Sequence, residues 1–387
     1  MRNRLKIIIV FSLVFSFFLT SKSLEAIEVN DITPNATASI LIEANSKEVI
    51  IAKNEHEKLY PASTTKIMTM ILLFEAVEQG KLNWEEILTT SAYASSMGGS
   101  QIYLETNEQM SIEDLFKAIA IASANDACVV IAERIGGTNE NFIMMMNQKA
   151  KELGLNNTNF VNATGLHDDN HYSSAYDLSI MAAYLIEIGA DKLLETTKTF
   201  DTYIRENTEE SFWLVNTNKL LNSYQGIDGL KTGFTKESGY CIVATATRDN
   251  LRFISVVLNE PEPATRNQEA SALLDFGFNQ YEANIIFNKG TEITKIQIPN
   301  SKVKEVIVIT SQDIIVPLKK GEEYNNNYEI EIIKQQAPLY KGEVIGYLHL
   351  FSQDNQNSIA YDLIIDDDVL PYTFYQFFEQ IFKKLLN

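Results

Sequence analysis

Ser63 and Lys66 stand at the start of the chain's strongest apolar helical pattern, and their spacing limits how this region can fold. Residues 67–72 are mostly apolar, and Gly80 is a typical helix stop signal after them. The pattern predicts a helix that begins near Ser63, with Lys66 on the same face. A helix start offers free N–H groups and a positive dipole, which stabilise an oxyanion and lower the pKa of an amine. A neutral amine can take the proton of a serine hydroxyl, so the pair is a candidate nucleophile and base.

The Ser63–Lys66 spacing alone also fits a helix cap followed by a solvated lysine, but a second stretch offers partners. Ser123 and Asn125 lie in a short polar segment between two apolar helical runs. Burying them without a role would cost free energy. We therefore expect a loop that places both side chains in a cleft, with an ordinary turn between helices as the alternative.

The rest of the chain mixes helical and strand patterns, which predicts an α+β fold. The stretch Lys231-Thr232-Gly233 lies on the first strand of a predicted antiparallel meander. The predicted elements are a hairpin of 37–43 with 48–54, a capped helix from Ser111, a helix from Leu178, the meander of 229–234, 240–247 and 251–259, and a helix over 264–278. Apolar and polar residues alternate from 291 to 365, which predicts a separate small all-β module.

Length and composition exclude several classes of function. A chain of 387 residues is long enough for two or three domains, and its net charge of −19 argues against nucleic-acid binding. Cys128 and Cys241 are too few for a disulfide framework, and each lies in an apolar run typical of a buried thiol. The four histidines lack metal-ligand spacing, although His167 and His171 are four residues apart. We expect no metal and no cofactor.

The N-terminus has the pattern of an export signal. Arg2, Arg4 and Lys6 precede an apolar run over 7–19, and small residues follow it. This predicts a secretory signal peptide over residues 1–26. An uncleaved anchor is the alternative, but the run is short for a full membrane span.

The C-terminus has the pattern of an amphipathic helix after Pro371. Its apolar residues fall on one face at Phe374, Phe377, Phe378, Ile381, Phe382, Leu385 and Leu386. A helix over 371–387 is too short to span a bilayer but suits the membrane interface. The alternatives are docking on the β module and pairing with another subunit.

The three polar stretches, in this chain order, resemble the active-site motifs of the serine enzymes that recognise penicillin. Their surroundings are most similar to the D-alanyl-D-alanine carboxypeptidases among the low-molecular-mass penicillin-binding proteins. The matching text is Tyr60-Pro61-Ala62-Ser63, Ser123-Ala124-Asn125-Asp126-Ala127-Cys128, Asn162-Ala163-Thr164-Gly165-Leu166, His171-Tyr172-Ser173-Ser174-Ala175 and Asp228-Gly229-Leu230-Lys231-Thr232-Gly233. The resemblance covers nearly the whole chain. It implies a signal peptide (1–26), a penicillin-binding/β-lactamase-like catalytic domain (27–279), an all-β domain (280–366) and an amphipathic membrane-anchoring helix (371–387).

The resemblance implies that the chain removes the terminal D-alanine from peptidoglycan stem pentapeptides through an acyl-enzyme on Ser63. Lys66, kept neutral by Lys231 and by partial burial, would take the serine proton. Ser123 would relay a proton to the leaving amine, and Asn125 would hold Lys66 and the peptide amide. β-Lactam antibiotics would acylate the same serine as inhibitors.

The resemblance also implies a site for the free carboxylate of the substrate. Lys231, Thr232 and Arg266 would bind it, since a cation with a hydroxyl suits that group. Arg266 is assigned by its distance from Lys231 along the chain, and a solvated residue near a helix start is the alternative.

Backbone groups would complete the site. The N–H groups of Ser63 and Phe234 would hold the oxyanion, and Gly233 would let the substrate backbone approach the strand edge. Many relatives have histidine where Phe234 stands, so the pH dependence of activity is expected to differ here.

Other functions on the same fold remain as alternatives. A class A β-lactamase would add a glutamate in an E-x-x-L-N segment, but the nearest match has Gln79 at that position. A DD-endopeptidase and an inactive peptidoglycan-binding protein are the others, and the intact motifs argue against the last. The expected location is the outer face of the bacterial cytoplasmic membrane, with peripheral attachment.

Overall fold

The computed structural model describes residues 29–206, 208–324, 327–351 and 358–386, so the predicted signal peptide at 1–26 lies outside the described residues. The α-helices are α1 (Val29–Ile32), α2 (Lys66–Glu78), α3 (Ala92–Ser95), α4 (Ile112–Lys117), α5 (Asn125–Gly136), α6 (Asn139–Glu152), α7 (Ala175–Thr197), α8 (Pro263–Gln280) and α9 (Phe374–Leu386). The strands are β1 (Ala38–Glu43), β2 (Val49–Lys53), β3 (Ile87–Thr89), β4 (Gln109–Ser111), β5 (Asp201–Ile204), β6 (Phe212–Val215), β7 (Ile227–Thr235), β8 (Gly239–Arg248), β9 (Leu251–Glu260), β10 (Tyr281–Phe287), β11 (Glu292–Gln297), β12 (Glu305–Thr310), β13 (Ile314–Lys319), β14 (Tyr328–Ile332), β15 (Val344–Phe351) and β16 (Ser358–Ile365).

A five-stranded antiparallel sheet organises the first part of the chain. Its order is β2-β1-β9-β8-β7, so the N-terminal hairpin joins the later meander through the β1–β9 pair. The predicted hairpin and meander are both confirmed, with Lys231 of β7 opposite Val243 of β8. Because β7 is the edge strand, the Lys231-Thr232-Gly233 stretch lies on an open side of the sheet.

Both faces of this sheet are covered. One face packs against helices α2, α5 and α7, and the other packs against α8. Helix α2 has nine consecutive buried residues from Lys66 to Phe74, as expected for a helix that is apolar on all sides. Lys66 is therefore the first residue of a core helix.

The predicted cap and the predicted break around Ser123 both occur. Ser111 Oγ accepts a hydrogen bond from the Asp114 N–H at 3.1 Å, which starts α4. The expected loop is only two residues long, because α4 continues through a π-helical turn at Ala118–Ala122. Ser123 then has a left-handed backbone with φ 64°, which ends the helical run just before α5.

The all-β module has its own hydrophobic core. A five-stranded sheet of order β11-β12-β16-β15-β14 packs with the β10–β13 pair, and Val308, Ile345 and Leu348 are fully buried between them. The alternating pattern begins at residue 291, so it missed β10, which follows directly from α8. The predicted α+β catalytic part with a small all-β part is the observed architecture.

Helix α9 leaves its apolar face uncovered by the rest of the described chain. Phe374 is 85% exposed, and Phe378 and Phe382 are each 53% exposed. The alternative that this face docks on the β module is therefore wrong for this structure. Within the described ranges, none of the helices combines the length and apolar character needed to cross a membrane.

Candidate active site

Ser63 lies in a tight 3₁₀ turn, Ala62–Thr65, that leads directly into α2. Thr64 Oγ1 donates a hydrogen bond to the Pro61 carbonyl at 2.7 Å and closes the turn. Ala62 has a φ of 47°, an uncommon conformation for a residue with a side chain. A Cβ at Gly165 would overlap the Ala62 carbonyl, so the segment before Ser63 is packed tightly against the loop around Thr164.

Lys66 is fully buried and its amine contacts three oxygens. Nζ lies 3.0 Å from Ser63 Oγ, 2.7 Å from Asn125 Oδ1 and 2.7 Å from the Thr164 carbonyl. Asn125 Nδ2 donates to the Gly98 carbonyl at 2.7 Å, which points Oδ1 toward Lys66. Asn125 Oδ1 and the carbonyl can only accept hydrogens. A neutral amine that donates to both therefore turns its lone pair toward the Ser63 hydroxyl.

Burial lowers the pKa of Lys66 to about 8, although Cys128 and Asp126 act in the opposite direction. At pH 7 about one molecule in ten then has a neutral amine, against about one in 2,500 for a lysine of pKa ~10.4. The sequence predicted that partial burial and the nearby Lys231 together keep Lys66 neutral. In the structure the complete burial of Lys66 is the main cause of its lowered pKa, and the repulsion between the two lysines lowers the pKa of Lys231.

Ser123 is buried beside this pair but is not hydrogen-bonded to it. Its side chain is 4% exposed, and its Oγ has no hydrogen-bond partner among the described residues. The neighbouring Asn125 binds Lys66 directly. The structure thus brings Asn125 onto the lysine and leaves the Ser123 hydroxyl with an unused donor and acceptor.

Lys231 and Arg266 add two buried cations that have no ion-pair partner in the part of the chain that the structure describes. Lys231 Nζ donates only to the Thr232 carbonyl, at 3.1 Å, and burial followed by the Lys66 charge holds its pKa well below the usual range. The Arg266 guanidinium donates only to Asn267 Oδ1, and its charge also acts on Lys231. Arg266 is 6% exposed, so the alternative of a solvated residue is wrong. Two buried basic side chains without an acidic partner among the described residues are chemically suited to take up an anion.

Gly233 brings the edge strand against the serine turn. A Cβ at this position would lie 2.9 Å from the Pro61 carbonyl oxygen and 3.0 Å from Ser63 N. The contact between β7 and the turn gives this glycine a structural reason, and its expected role in letting the substrate approach stays a prediction. The Phe234 ring is 54% exposed and stacks on Tyr240 with a centroid distance of 4.3 Å.

Several residues of the site escaped the sequence analysis because they act through the backbone or through a common residue type. The carbonyls of Thr164 and Gly98 position Lys66 and Asn125, and a carbonyl leaves no side-chain signature. Thr217 Oγ1 accepts a hydrogen bond from Thr232 Oγ1 at 2.7 Å. In the sequence, the only sign that Thr217 belongs to the site is its location between Asn216 and Asn218.

Two polar features of the sequence have structural roles. His171 accepts from the Val161 N–H at Nδ1 and therefore donates from Nε2 to Thr65 Oγ1 at 2.7 Å. Gln79 follows the 13-residue helix α2, about 20 Å from Lys66 along the axis, so it is remote from the serine. The described residues contain no group of three or more His, Cys, Asp or Glu that could hold a metal.

Comparisons with known proteins agree with this geometry. The family model for D-alanyl-D-alanine carboxypeptidase matches residues 25–262, and that for the C-terminal domain of penicillin-binding protein 5 matches residues 281–370. The D-alanyl-D-alanine carboxypeptidase DacF of Bacillus subtilis is 44% identical over 83% of this chain and 82% of its own. The crystal structure of penicillin-binding protein 5 from Haemophilus influenzae is 32% identical, with a TM-score of 0.67 over 87% of this chain and 98% of that chain. Penicillin-binding protein D2 from Listeria monocytogenes, solved in an ampicillin-bound form, is 35% identical, with a TM-score of 0.57 over 63% of this chain and 97% of that chain.

Gly233→Ala is expected to slow acylation of Ser63 by a fluorescent β-lactam by about ten-fold or more. The added Cβ must displace either β7 or the serine turn, and small shifts of a nucleophile are costly. Gly98→Ala is the matched control, because a Cβ there meets nothing within 4 Å and the Gly98 carbonyl remains. Equal labelling rates for both variants would show that the Gly233 contact does not position Ser63.

Proposed function

Since this chain belongs to the D-alanyl-D-alanine carboxypeptidase family of serine peptidases, we propose that Ser63 and Lys66 remove the terminal D-alanine from peptidoglycan stem pentapeptides. The observation that carries this proposal is the 3.0 Å contact between Lys66 Nζ and Ser63 Oγ. The other two oxygens around the amine accept its hydrogens. The lysine is thereby arranged as a base aimed at the serine.

Acylation proceeds by attack of Ser63 Oγ on the carbonyl carbon of the penultimate D-alanine. The hydroxyl proton passes to Lys66 Nζ, and the negative charge on the carbonyl oxygen is held by the N–H groups of Ser63 and Phe234. When the C–N bond breaks, the Lys66 proton goes to the leaving amine, with the Ser123 hydroxyl as the relay. Free D-alanine departs and leaves an ester on Ser63.

Deacylation uses the same base. Lys66, neutral again after acylation, takes a proton from water, which attacks the ester carbonyl. The bond to Ser63 Oγ breaks, the serine recovers its proton, and the shortened stem peptide is released. The supporting feature is the contact between Lys66 Nζ and Ser63 Oγ, since the same amine can serve as the base in both halves of the reaction.

The terminal carboxylate of the substrate binds to Lys231, Thr232 and Arg266. Supporting this role, both cations are buried without a carboxylate among the described residues, so an incoming carboxylate is their counter-ion. Its negative charge restores the ammonium form of Lys231. This requirement selects peptides whose leaving amino acid carries a free α-carboxylate.

β-Lactams are proposed to acylate the same serine, as the ampicillin-bound form of the Listeria relative suggests. The comparisons favour neither a β-lactamase nor a spent peptidoglycan-binding protein.

Steady release of D-alanine from a soluble pentapeptide ending in D-Ala-D-Ala is the expected activity. Ser63→Ala should reduce it by at least about 10³-fold, since the nucleophile is lost, and should abolish β-lactam labelling. Ser223→Ala, at an exposed serine, is the control and should leave both unchanged. D-Alanine release that persisted in Ser63→Ala would overturn the proposal. If the wild type were labelled by the β-lactam but released no D-alanine, Ser63 would be the nucleophile and the proposed substrate would be wrong.

We further propose that the chain is exported by its signal at 1–26 and held on the outer face of the cytoplasmic membrane by α9. The support is the uncovered apolar face of α9 and its place after the β module, which would separate the active site from the membrane.

Phe378→Glu is expected to reduce binding of the mature protein to phosphatidylglycerol vesicles by about ten-fold or more, because a buried phenylalanine contributes ~1.5–3 kcal/mol. Gln376→Glu adds the same charge on the opposite face, keeps the oxygen that caps Thr373, and should bind nearly as the wild type. Both variants should hydrolyse soluble peptide normally. Unchanged sedimentation of Phe378→Glu with vesicles would contradict membrane anchoring, and a dimer-to-monomer change in that variant would instead assign the face to a second subunit.

A further inference from the structure

Two glutamates are buried together behind the carboxylate-binding region. Glu260 ends strand β9 and is 1% exposed, and Glu269 lies on α8 and is 3% exposed. Glu269 accepts hydrogen bonds from Asn35 N, Asn35 Nδ2 and Ala36 N at 3.0, 2.7 and 3.1 Å. Neither carboxyl oxygen of Glu260 has a donor among the described residues.

The two carboxyl groups face each other, and two buried carboxylates side by side repel each other, which favours one neutral member. Glu269 has three donors, so it is the ionised member, and Glu260, which has none among the described residues, is the neutral acid. Burial, and then the neighbouring Glu269, raise the pKa of Glu260 to about 8. For Glu269, burial acts upward, but the neighbouring Glu260 and the hydrogen bonds from Asn35 and Ala36 outweigh it, and its pKa is lowered.

This pair lies next to Arg266. Glu269 follows Arg266 by three residues on α8, which places both on one face of the helix. Glu260 is opposite Tyr240 in the β8–β9 ladder, and Glu260 is close enough to act on Arg266 when it is ionised. No carboxylate among the described residues lies within ion-pair distance of Arg266, whose only acceptor is the Asn267 amide oxygen.

We propose that Glu260 is a positioning residue for Arg266: as a buried neutral acid beside the ionised Glu269, it leaves the guanidinium without an internal counter-ion and available to the substrate carboxylate. This inference rests on the proposed role of Arg266 in substrate binding. An ionised Glu260 would attract the guanidinium and lower the positive potential at the carboxylate site.

The titratable groups around Glu260 do not prevent it from staying neutral at neutral pH. Lys53 of β2 acts to lower the pKa of Glu260, but its Nζ is hydrogen-bonded to the Thr33 carbonyl at 2.8 Å. On β8 the facing groups are Tyr240 and Cys241, and burial raises the pKa of the Cys241 thiol to about 11, so it is neutral when Glu260 titrates. Glu260 is therefore neutral below about pH 8 and ionises above it.

The test is the pH dependence of KM for a soluble D-Ala-D-Ala peptide between pH 7 and 9.5. In the wild type KM should rise by about ten-fold as Glu260 ionises, because a charge-assisted contact is weakened. Glu260→Gln mimics the neutral acid, so its KM should rise less over this range than that of the wild type. Glu262→Gln makes the same change at an exposed neighbouring residue and should follow the wild-type curve.

Glu269→Gln is the complementary variant, because it is expected to lower the pKa of Glu260. Its amide can donate to Glu260 and removes the neighbouring charge, so Glu260 ionises at lower pH. KM should then be raised about ten-fold already at pH 7, with kcat near the wild-type value. A purely structural pair would instead lower kcat or thermal stability in both variants without moving the KM–pH curve.

Arg266→Gln separates failure of this inference from failure of the proposed function. If Arg266→Gln has the wild-type KM, Arg266 does not bind substrate and the proposed carboxylate site is wrong. If Arg266→Gln raises KM while Glu260→Gln follows the wild-type pH curve, the carboxylate site stands and the role of Glu260 is overturned.

Discussion

The amine of Lys66 is held away from water, and the arrangement of the site follows from that burial. Helix α2 is apolar on all sides, so its first residue enters the core together with its charge. Three oxygens replace the lost water, and only the Ser63 hydroxyl among them can donate a proton back. The tight packing of Gly165 on Ala62 and of Gly233 on the serine turn keeps that geometry fixed. Burial thus lowers the pKa of Lys66 and also orients its amine toward the Ser63 hydroxyl.

A second consequence of burial is a cluster of basic side chains near the serine. Lys66, Lys231 and Arg266 have no carboxylate partner among the described residues, and Lys231 lies on the edge strand β7. In the proposed function, a bound carboxylate supplies the missing counter-ion and returns Lys231 to its charged form. In the proposed state, the nearby acids do not supply that counter-ion: the Glu269 charge is turned toward the N-terminal segment, and Glu260 retains its proton.

The sequence predicted the motifs and the sheet well, because both depend on local patterns. The Ser63–Lys66 spacing, the cap at Ser111 and the meander are short-range features that hydrophobic periodicity and capping preferences determine. Packing between residues that are distant in the chain was harder to predict from the sequence. The π-helical turn that shortens the loop before Ser123, the close contact at Gly233 and the burial of Arg266 all depend on neighbours far away in the chain. The carbonyls of Thr164 and Gly98 leave no trace in residue type.

The most direct test of this account is the rate constant for acylation of Ser63 by a β-lactam, measured by stopped flow from pH 6 to 10. Lys66 acts as a base only when neutral, and its pKa is lowered to about 8 by burial. The rate should therefore rise about ten-fold per pH unit up to pH 8 and then level off. A rate that is independent of pH, or that continues to rise up to pH 10 as for an exposed lysine, would contradict the central role of the buried amine.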